Sequence, residues 1–554
     1  MGLDFRPEDF FDDEHLSYAA SDAEIEASRQ GFDTPMNRRR FLSLSSKVGF
    51  GMFAAATTYS SFLASCGRRI ADVSAGGGGF GAAGSGGGDT INIGVISIYS
   101  GVGAFVGKLV KNGAVLAEDL INKHGPKIDK EGIFPDFKAY DAKKSPGVMG
   151  GKRIKLIQRD DNLSAQVAVS AVQEMITRYQ IKGLMFCGLL DDIYACKQLV
   201  QKHNIPTIAT YSDLFSAGQL FPDSDYSQVF QIFPPDIWAA EVLTDYGIND
   251  RGYDRFAYIG DATALGKQGR DQITKALAKH GKKLLRAEQY NVGDVDMTAQ
   301  LVRIRESGCQ CLVVWGLAGD TAHALQNLKK LGAEYLDHGR AQSSTAANWH
   351  PQIMGFPGGV AERTFAELSG DAARAGTVST WYMGGVGYFP EFQGATEAFK
   401  KKWGRVPTGG ENNPADSVYL LADAFDRANS TEPDKVIKAL EEAKVNFFST
   451  TPHSFQPGQR ISLTKGDIIG VTLERGAAVK TSPAYELGTE FKKFHPPGYV
   501  GPTHFVRPNF DALMERHPEL MQIILKEGYG TQCTKVDDPS VPWGFRLTPE
   551  CKIH

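Results

Sequence analysis

Gly101, Gly103 and Gly107 lie in the stretch SGVGAFVG, between an apolar run and a helical pattern. A dinucleotide-binding turn puts its glycines in such a place, so that backbone N–H groups can approach a pyrophosphate. The spacing here is GxGxxxG, looser than that fingerprint, and the acid expected about 20 positions on is missing. The strand-end acids Asp160 and Asp161 come far later in the chain. An exported dinucleotide-dependent oxidoreductase is therefore only an alternative reading, one that nicotinamide or flavin absorbance would mark. The chain contains no GxSxG, HExxH or P-loop pattern. Its seven cysteines (Cys66, Cys187, Cys196, Cys309, Cys311, Cys533 and Cys551) form no paired CxxC set. They are too few for a disulfide scaffold and wrongly spaced for a structural zinc site. The residues point to binding rather than catalysis: no enzyme, no metal and no cofactor are expected.

The N-terminal region carries a different chemistry. In MNRRRFLSLSSKVGFGMFAAATTYSSFLASCG, an arginine cluster precedes an apolar stretch, Val48 to Ala64, that ends near Cys66. The stretch is short and softened by Thr57, Thr58, Ser60 and Ser61. A transmembrane helix needs about 20 apolar residues, so this reads as an export signal. Arg38-Arg39-Arg40-Phe41-Leu42 resembles the twin-arginine (Tat) export motif, and Leu63-Ala64-Ser65-Cys66 resembles a bacterial lipobox. The resemblance implies lipidation of Cys66 and a membrane-anchored protein; an uncleaved N-terminal anchor is the alternative. Residues 1–35 form an acidic tail, 36–66 the signal, and 67–89 a glycine-rich tether. Export signals begin with a basic region, which Met36 would supply at once. AGGGGFGAAGSGGGD has no core-forming residues and acts as a flexible tether.

The elements after Thr90 explain what any site must be mounted on. INIGVISIYS, RIKLIQRDD, IKGLMFCG and IPTIATYS read as strands. The helical patterns KLVKNGAVLAEDLINKHG, SAQVAVSAVQEMITRY and DDIYACKQLVQKHN lie between them. QVFQIFP opens a second series with RFAYIGD, GKQGRDQITKALAKHG, CQCLVVWG and AGDTAHALQNLKKLG. Such alternation predicts α/β lobes with parallel sheets covered on both faces. Ligands then bind outside the carboxyl ends of the strands. At 554 residues the chain is long enough for two such lobes. Its net charge of −4 argues against a nucleic-acid partner.

The ordered series resembles the type I periplasmic binding proteins, specifically the branched-chain amino acid (Leu/Ile/Val) receptors of ABC importers. The segments that carry it are INIGVISIYSGVGAFVGKLVKNGAVLAEDLIN, GGKRIKLIQRDDNLSAQVAVSAVQEMI, FAYIGDATALGKQGRDQI and NPADSVYLLADAFDRANS. The resemblance implies two Rossmann-like lobes joined by three crossovers, a small-molecule ligand in the cleft and an ABC permease as partner. Lobe one is expected over 90–213 and 340–378, and lobe two over 214–339 and 379–475. An irregular C-terminal extension, 476–554, follows, with one short helix near Phe510 to Glu527.

Carried over residue by residue, the resemblance implies Tyr99, Ser100 and Phe105 from the first loop. Leu190 follows the third strand, and Thr210, Tyr211 and Ser212 follow the fourth. In lobe two Leu265 stands where the family has a tyrosine. Asp320, in WGLAGD, matches its ammonium-binding acid, and Trp381 and Tyr382 lie near the last crossover. Trp315, Trp381 and Tyr382 could equally be core, and Asp191 and Asp192 suit helix caps. Cys533 and Cys551, alone in the extension, are expected to pair as a disulfide after export. The extension also keeps open a ligand-sensing or docking lipoprotein within a membrane complex, without transport.

Overall fold

A computed structural model describes residues 90–473, except 127–145, 221–225, 334–343, 346–347, 361, 370–371, 373–376, 383–392, 405–406, 446–452, 456–459 and 464–467. It also describes 535–537 and 545–547. The signal, the tether, Cys66, the helix expected near Phe510 to Glu527, and Cys533 with Cys551 lie outside the described residues.

The first sheet comprises β1 (Thr90–Ser97), β2 (Arg153–Asp160), β3 (Gly183–Cys187), β4 (Thr207–Ala209) and β5 (Val229–Gln231), parallel throughout in the order β2-β1-β3-β4-β5. Every residue of β3 is buried, as a strand covered on both faces requires. One face carries α2 (Ala165–Thr177) and α3 (Leu190–Lys202). The other carries α1 (Ala104–His124), which stops at Gly125 with φ 80°.

The second sheet comprises β6 (Phe256–Asp261), β7 (Leu284–Tyr290), β8 (Cys311–Trp315), β11 (Gln352–Gly355), β12 (Thr377–Tyr382) and β15 (Ile468–Leu473), in the order β15-β12-β11-β8-β6-β7. Only β15 runs antiparallel to its neighbour. With it are α4 (Asp236–Asp245), α5 (Ala264–Lys279), α6 (Thr298–Glu306) and α7 (Ala318–Lys330). Between β8 and β12 come the hairpin β9 (Ser344–Thr345) and β10 (Asn348–Trp349), then α8 (Pro357–Val360) and α9 (Arg363–Ser369).

Among the described residues the chain passes between the lobes three times, as expected, but not where expected. QVFQIFP does not open the second lobe: β5 pairs with β4 and ends the first sheet. Residues 340–378 do not return to lobe one, because β11 pairs with β8. Within 379–475, α10 (Gln393–Trp403), α11 (Gly409–Ala428) and α12 (Pro433–Glu441) belong to lobe one, where Phe399, Tyr419 and Leu440 share a core with Ile93 and Val110. A local pattern identifies a strand but not its partner, and lobe membership is a matter of partners. Strands β13 (Lys444–Val445) and β14 (His453–Ser454) form a hairpin on this lobe before β15 crosses back. In the extension, expected to be irregular, β16 (Lys535–Asp537) and β17 (Phe545–Leu547) pair as an antiparallel ribbon.

At the hinge two crossing segments are tied together. Gln231 N donates to Arg460 O at 2.8 Å, and Ser462 N donates to Gln231 O at 3.1 Å. Helices α1 and α11 cross closely enough that Asn112 Nδ2 donates to Glu411 Oε1 at 3.0 Å.

Candidate functional site

The strand ends of both sheets open on one cavity of ≈ 740 Å³ of non-atom space, part of it open to solvent. Lobe one contributes Ile98, Phe105, Gly188, Leu189, Leu190, Tyr211 and Asp213, and lobe two contributes Asp236, Leu265, Gln268, Leu317, Phe356 and Glu362. Phe233, in the first crossover, lines it as well. The walls are mainly apolar. An aromatic row crosses from lobe to lobe: Tyr211 to Phe233 at 6.2 Å between ring centroids, Phe233 to Phe356 at 6.1 Å, and Phe356 to Trp315 at 5.1 Å. Trp315 itself is fully buried core, so one of the residues left open by the sequence is settled.

Polar groups gather at the hinge end. The Asp213 carboxylate accepts from Ser216 N (3.1 Å), Gln231 Nε2 (2.9 Å), Asp236 N (2.7 Å) and Gln268 Nε2 (3.2 Å). Gln268 Nε2 also reaches Asp213 O at 3.0 Å and Asp236 Oδ2 at 3.1 Å. Asp236 Oδ1, in a fully buried side chain, has no hydrogen-bond partner. Burial, then the Asp213 charge, holds Asp236 well above the ordinary carboxylate range. Among the described residues no lysine, arginine or histidine lines the cavity.

Of the residues singled out from the sequence, Phe105, Leu190, Tyr211 and Leu265 stand on the cavity wall. Tyr99, Ser100, Thr210, Ser212 and Asp320 do not line it. The Tyr99 hydroxyl donates to Gln158 Oε1 at 2.9 Å, while its N–H donates to Asp160. Ser100 Oγ donates to Asn162 Oδ1 at 3.1 Å. Thr210 Oγ1 shares a 2.8 Å hydrogen bond with Ser417 Oγ, and the Tyr211 hydroxyl donates to Gly410 O. Ser212 is buried and its Oγ has no hydrogen-bond partner. Asp320 is buried, accepts from Gly293 N at 2.9 Å, and is pushed up to about 7 by burial, with Asp261 and Asp294 adding to it. Trp381 lies in β12 opposite Ile469, and its side chain is outside the described residues.

Sequence reasoning missed Phe233, Asp236, Gln268 and Phe356. The run Phe233-Pro234-Pro235-Asp236 carried a signal: two prolines before a helix-starting acid mark a sharp change of direction.

The relatives of this arrangement fit its geometry. A description of the family "periplasmic binding protein" matches residues 90–464, more than half of the chain. The chain belongs to the periplasmic binding protein family. Its members are exported, periplasmic proteins that capture a small molecule rather than transform it. This binding protein is 24% identical over 362 residues to the Leu/Ile/Val-binding protein homolog 3 of Brucella melitensis, covering 64% of this chain and 84% of that one. It is 24% identical over 369 residues to the leucine-, isoleucine-, valine-, threonine-, and alanine-binding protein of Pseudomonas aeruginosa, covering 65% and 84%. A type 1 periplasmic binding protein from Bordetella pertussis shares the fold, with a TM-score of 0.58, 21% identity, and coverage of 72% of this chain and all of that one.

Two acids at the start of α3 divide their duties in the binding protein. Asp192 caps its own helix, accepting from Leu189 N at 3.1 Å. Asp191 instead accepts from Ala264 N, at the start of α5 in the opposite lobe, at 3.0 Å. A carboxylate at a helix N-terminus is favourable, and here that interaction joins the lobes. Ser462, His453 and Asp416 are linked, with His453 Nδ1 3.0 Å from Ser462 Oγ and Nε2 2.8 Å from Asp416 Oδ2. The arrangement imitates a hydrolytic triad, but a nucleophile must reach substrate and Ser462 is wholly buried.

Gly188 sits between two carboxylates: Asp161 Oδ2 and Asp192 Oδ2 lie 2.5 and 2.6 Å from where its Cβ would be. Burial raises Asp161 to about 6, and burial together with the Asp161 charge raises Asp192 to about 8. Both groups titrate near 3.9 in an unfolded chain. The folded protein therefore holds extra protons, so the pair's contribution to stability is full below about pH 4 and is lost as pH rises through about 6 to 8. Asp192→Asn removes the repulsion and keeps an acceptor for Leu189 N. The variant gains on the wild type as pH rises through this range. Thermal unfolding midpoints across the pH range check this; a constant difference between the proteins would refute it.

Proposed function

We propose that the protein is the solute receptor of an ABC importer, tethered to a membrane through lipidated Cys66. It closes on a small amino-acid-like or amide-like solute with a branched or aromatic body. The observation that carries this reading is the cavity itself: it is walled by both lobes, mainly apolar, and served by a few convergent polar groups. The names of the amino-acid-binding relatives support the same solute class. Leu190 and Leu265, both on the wall, suit a hydrocarbon side chain better than a sugar.

A thermal-shift panel of amino acids, amides and sugars tests the reading. A true solute at about 100 times its dissociation constant stabilises the folded state by about 2.7 kcal/mol. Stabilisation by sugars alone would refute the solute class. Anchoring has its own test. Cys66→Ala moves the protein from the membrane fraction to the soluble one, and wild-type protein with an unprocessed N-terminus and no acyl mass would refute lipidation.

A further inference from the structure

Among the described residues, several groups that could hold an anion at the cleft are already taken. Helix N-termini ordinarily supply them, through N–H groups left without partners. At the start of α3, Leu189 N is taken by Asp192 at 3.1 Å. At the start of α5, Ala264 N is taken by Asp191 at 3.0 Å and Gly266 N by Asp261 at 3.3 Å. The hydroxyls of Ser100 and Tyr211 donate to Asn162 and Gly410. The chain's own acceptors thus occupy several places that could otherwise hold a solute carboxylate, and three of them are carboxyl groups.

The unmet need is of the opposite kind. Asp236 lines the cavity and is wholly buried; Oδ2 accepts from Gln268, and Oδ1 has no partner. Its neighbour Asp213 already accepts from four donors. A buried acceptor left unmade is costly, so Asp236 is where a solute's donor is worth most. Phe233 and Phe356 beside it offer ring faces, which attract a cation and cover hydrocarbon.

We infer that the cleft, read as the interlobe solute site proposed above, selects an organic amine with a branched or aromatic body. The ammonium donates to Asp236 Oδ1 and the body packs on the aromatic row. A carboxylate on the solute is not required.

Two matched sets, titrated calorimetrically into the full chain, test this: leucine, isoamylamine and isocaproate, then phenylalanine, phenethylamine and hydrocinnamate. In at least one set the amine binds at least about tenfold tighter than its amino acid, a difference near 1.4 kcal/mol, and the acid gives no measurable binding. Asp236→Asn weakens that amine by a further factor of at least about ten. If an amino acid or acid binds and its amine does not exceed it, the amine assignment is overturned while the solute-binding reading stands. An amine whose affinity Asp236→Asn leaves unchanged overturns it as well. Silence from every member of both sets overturns the assignment together with the solute class on which it rests.

Discussion

Gly113→Ala destabilises the protein by on the order of 3 kcal/mol. In an ordinary helix interior the same change stabilises by roughly 1 kcal/mol, because glycine loses more backbone freedom on folding. Gly113 lies inside α1 where it crosses α11. A Cβ there would stand 1.9 Å from Glu411 O and 2.9 Å from Glu411 C. Both obstacles are backbone, so no side-chain rotation relieves them, and one helix must move. The shift would spread to the Asn112–Glu411 hydrogen bond and to Trp403, whose Nε1 donates to Asn112 O at 3.1 Å. Gly319→Ala in α7 is the matched control: its Cβ would meet only the end of Leu368, at 3.9 Å. Equilibrium urea unfolding of the two variants should give opposite signs. A Gly113→Ala protein as stable as the wild type would show that the crossing is looser than described.

Asp213→Ala should cost as much or more, on the order of 4 kcal/mol, since each buried donor left without an acceptor costs about 1–3 kcal/mol. Four donors converge on that carboxylate, and three come from other structural units: Gln231 at the end of β5, Asp236 at the start of α4 and Gln268 in α5. The group is almost fully buried, so water cannot take the acceptor's place without opening the hinge. Asp213→Asn keeps the shape but turns an amide toward one pair of donors, and should fall between alanine and the wild type. Urea unfolding ranks the three proteins. A loss below about 1 kcal/mol for Asp213→Ala, the worth of one ordinary hydrogen bond, would mean that the four donors find other partners.

Local pattern carried much of the fold. β1, β3, β6 and β8 are buried apolar runs, and α1, α3, α5 and α7 follow them with helical spacing. Strand β7 was not visible: LLRAEQY lies at the sheet edge, mostly exposed, and carries charge where an interior strand would not. The lobe boundaries were misplaced because β5, β11 and α11 take their partners from distant parts of the chain. The site was legible in the same uneven way. Phe105, Leu190 and Leu265 open the helices that follow strands, and Tyr211 comes just after β4, where the topology alone directs them to the cleft. Asp236 and Phe356 reach it through crossovers and short turns, whose direction depends on packing between lobes. Asp191 looked like a cap and is one, but for α5 rather than for its own helix.

The Asp191 bond to Ala264 N and the Gln268 bonds to Asp213 join the two lobes without involving a solute. Any parting of the lobes must first break them. For a solute enclosed there as proposed above, residence time would be governed partly by the protein's own opening rate, a gating step of the kind that limits product release in many enzymes. Solutes of unequal fit then share a similar off-rate and differ mainly in how readily each one triggers closure. That reverses the usual pattern, in which related partners differ chiefly in how fast they dissociate.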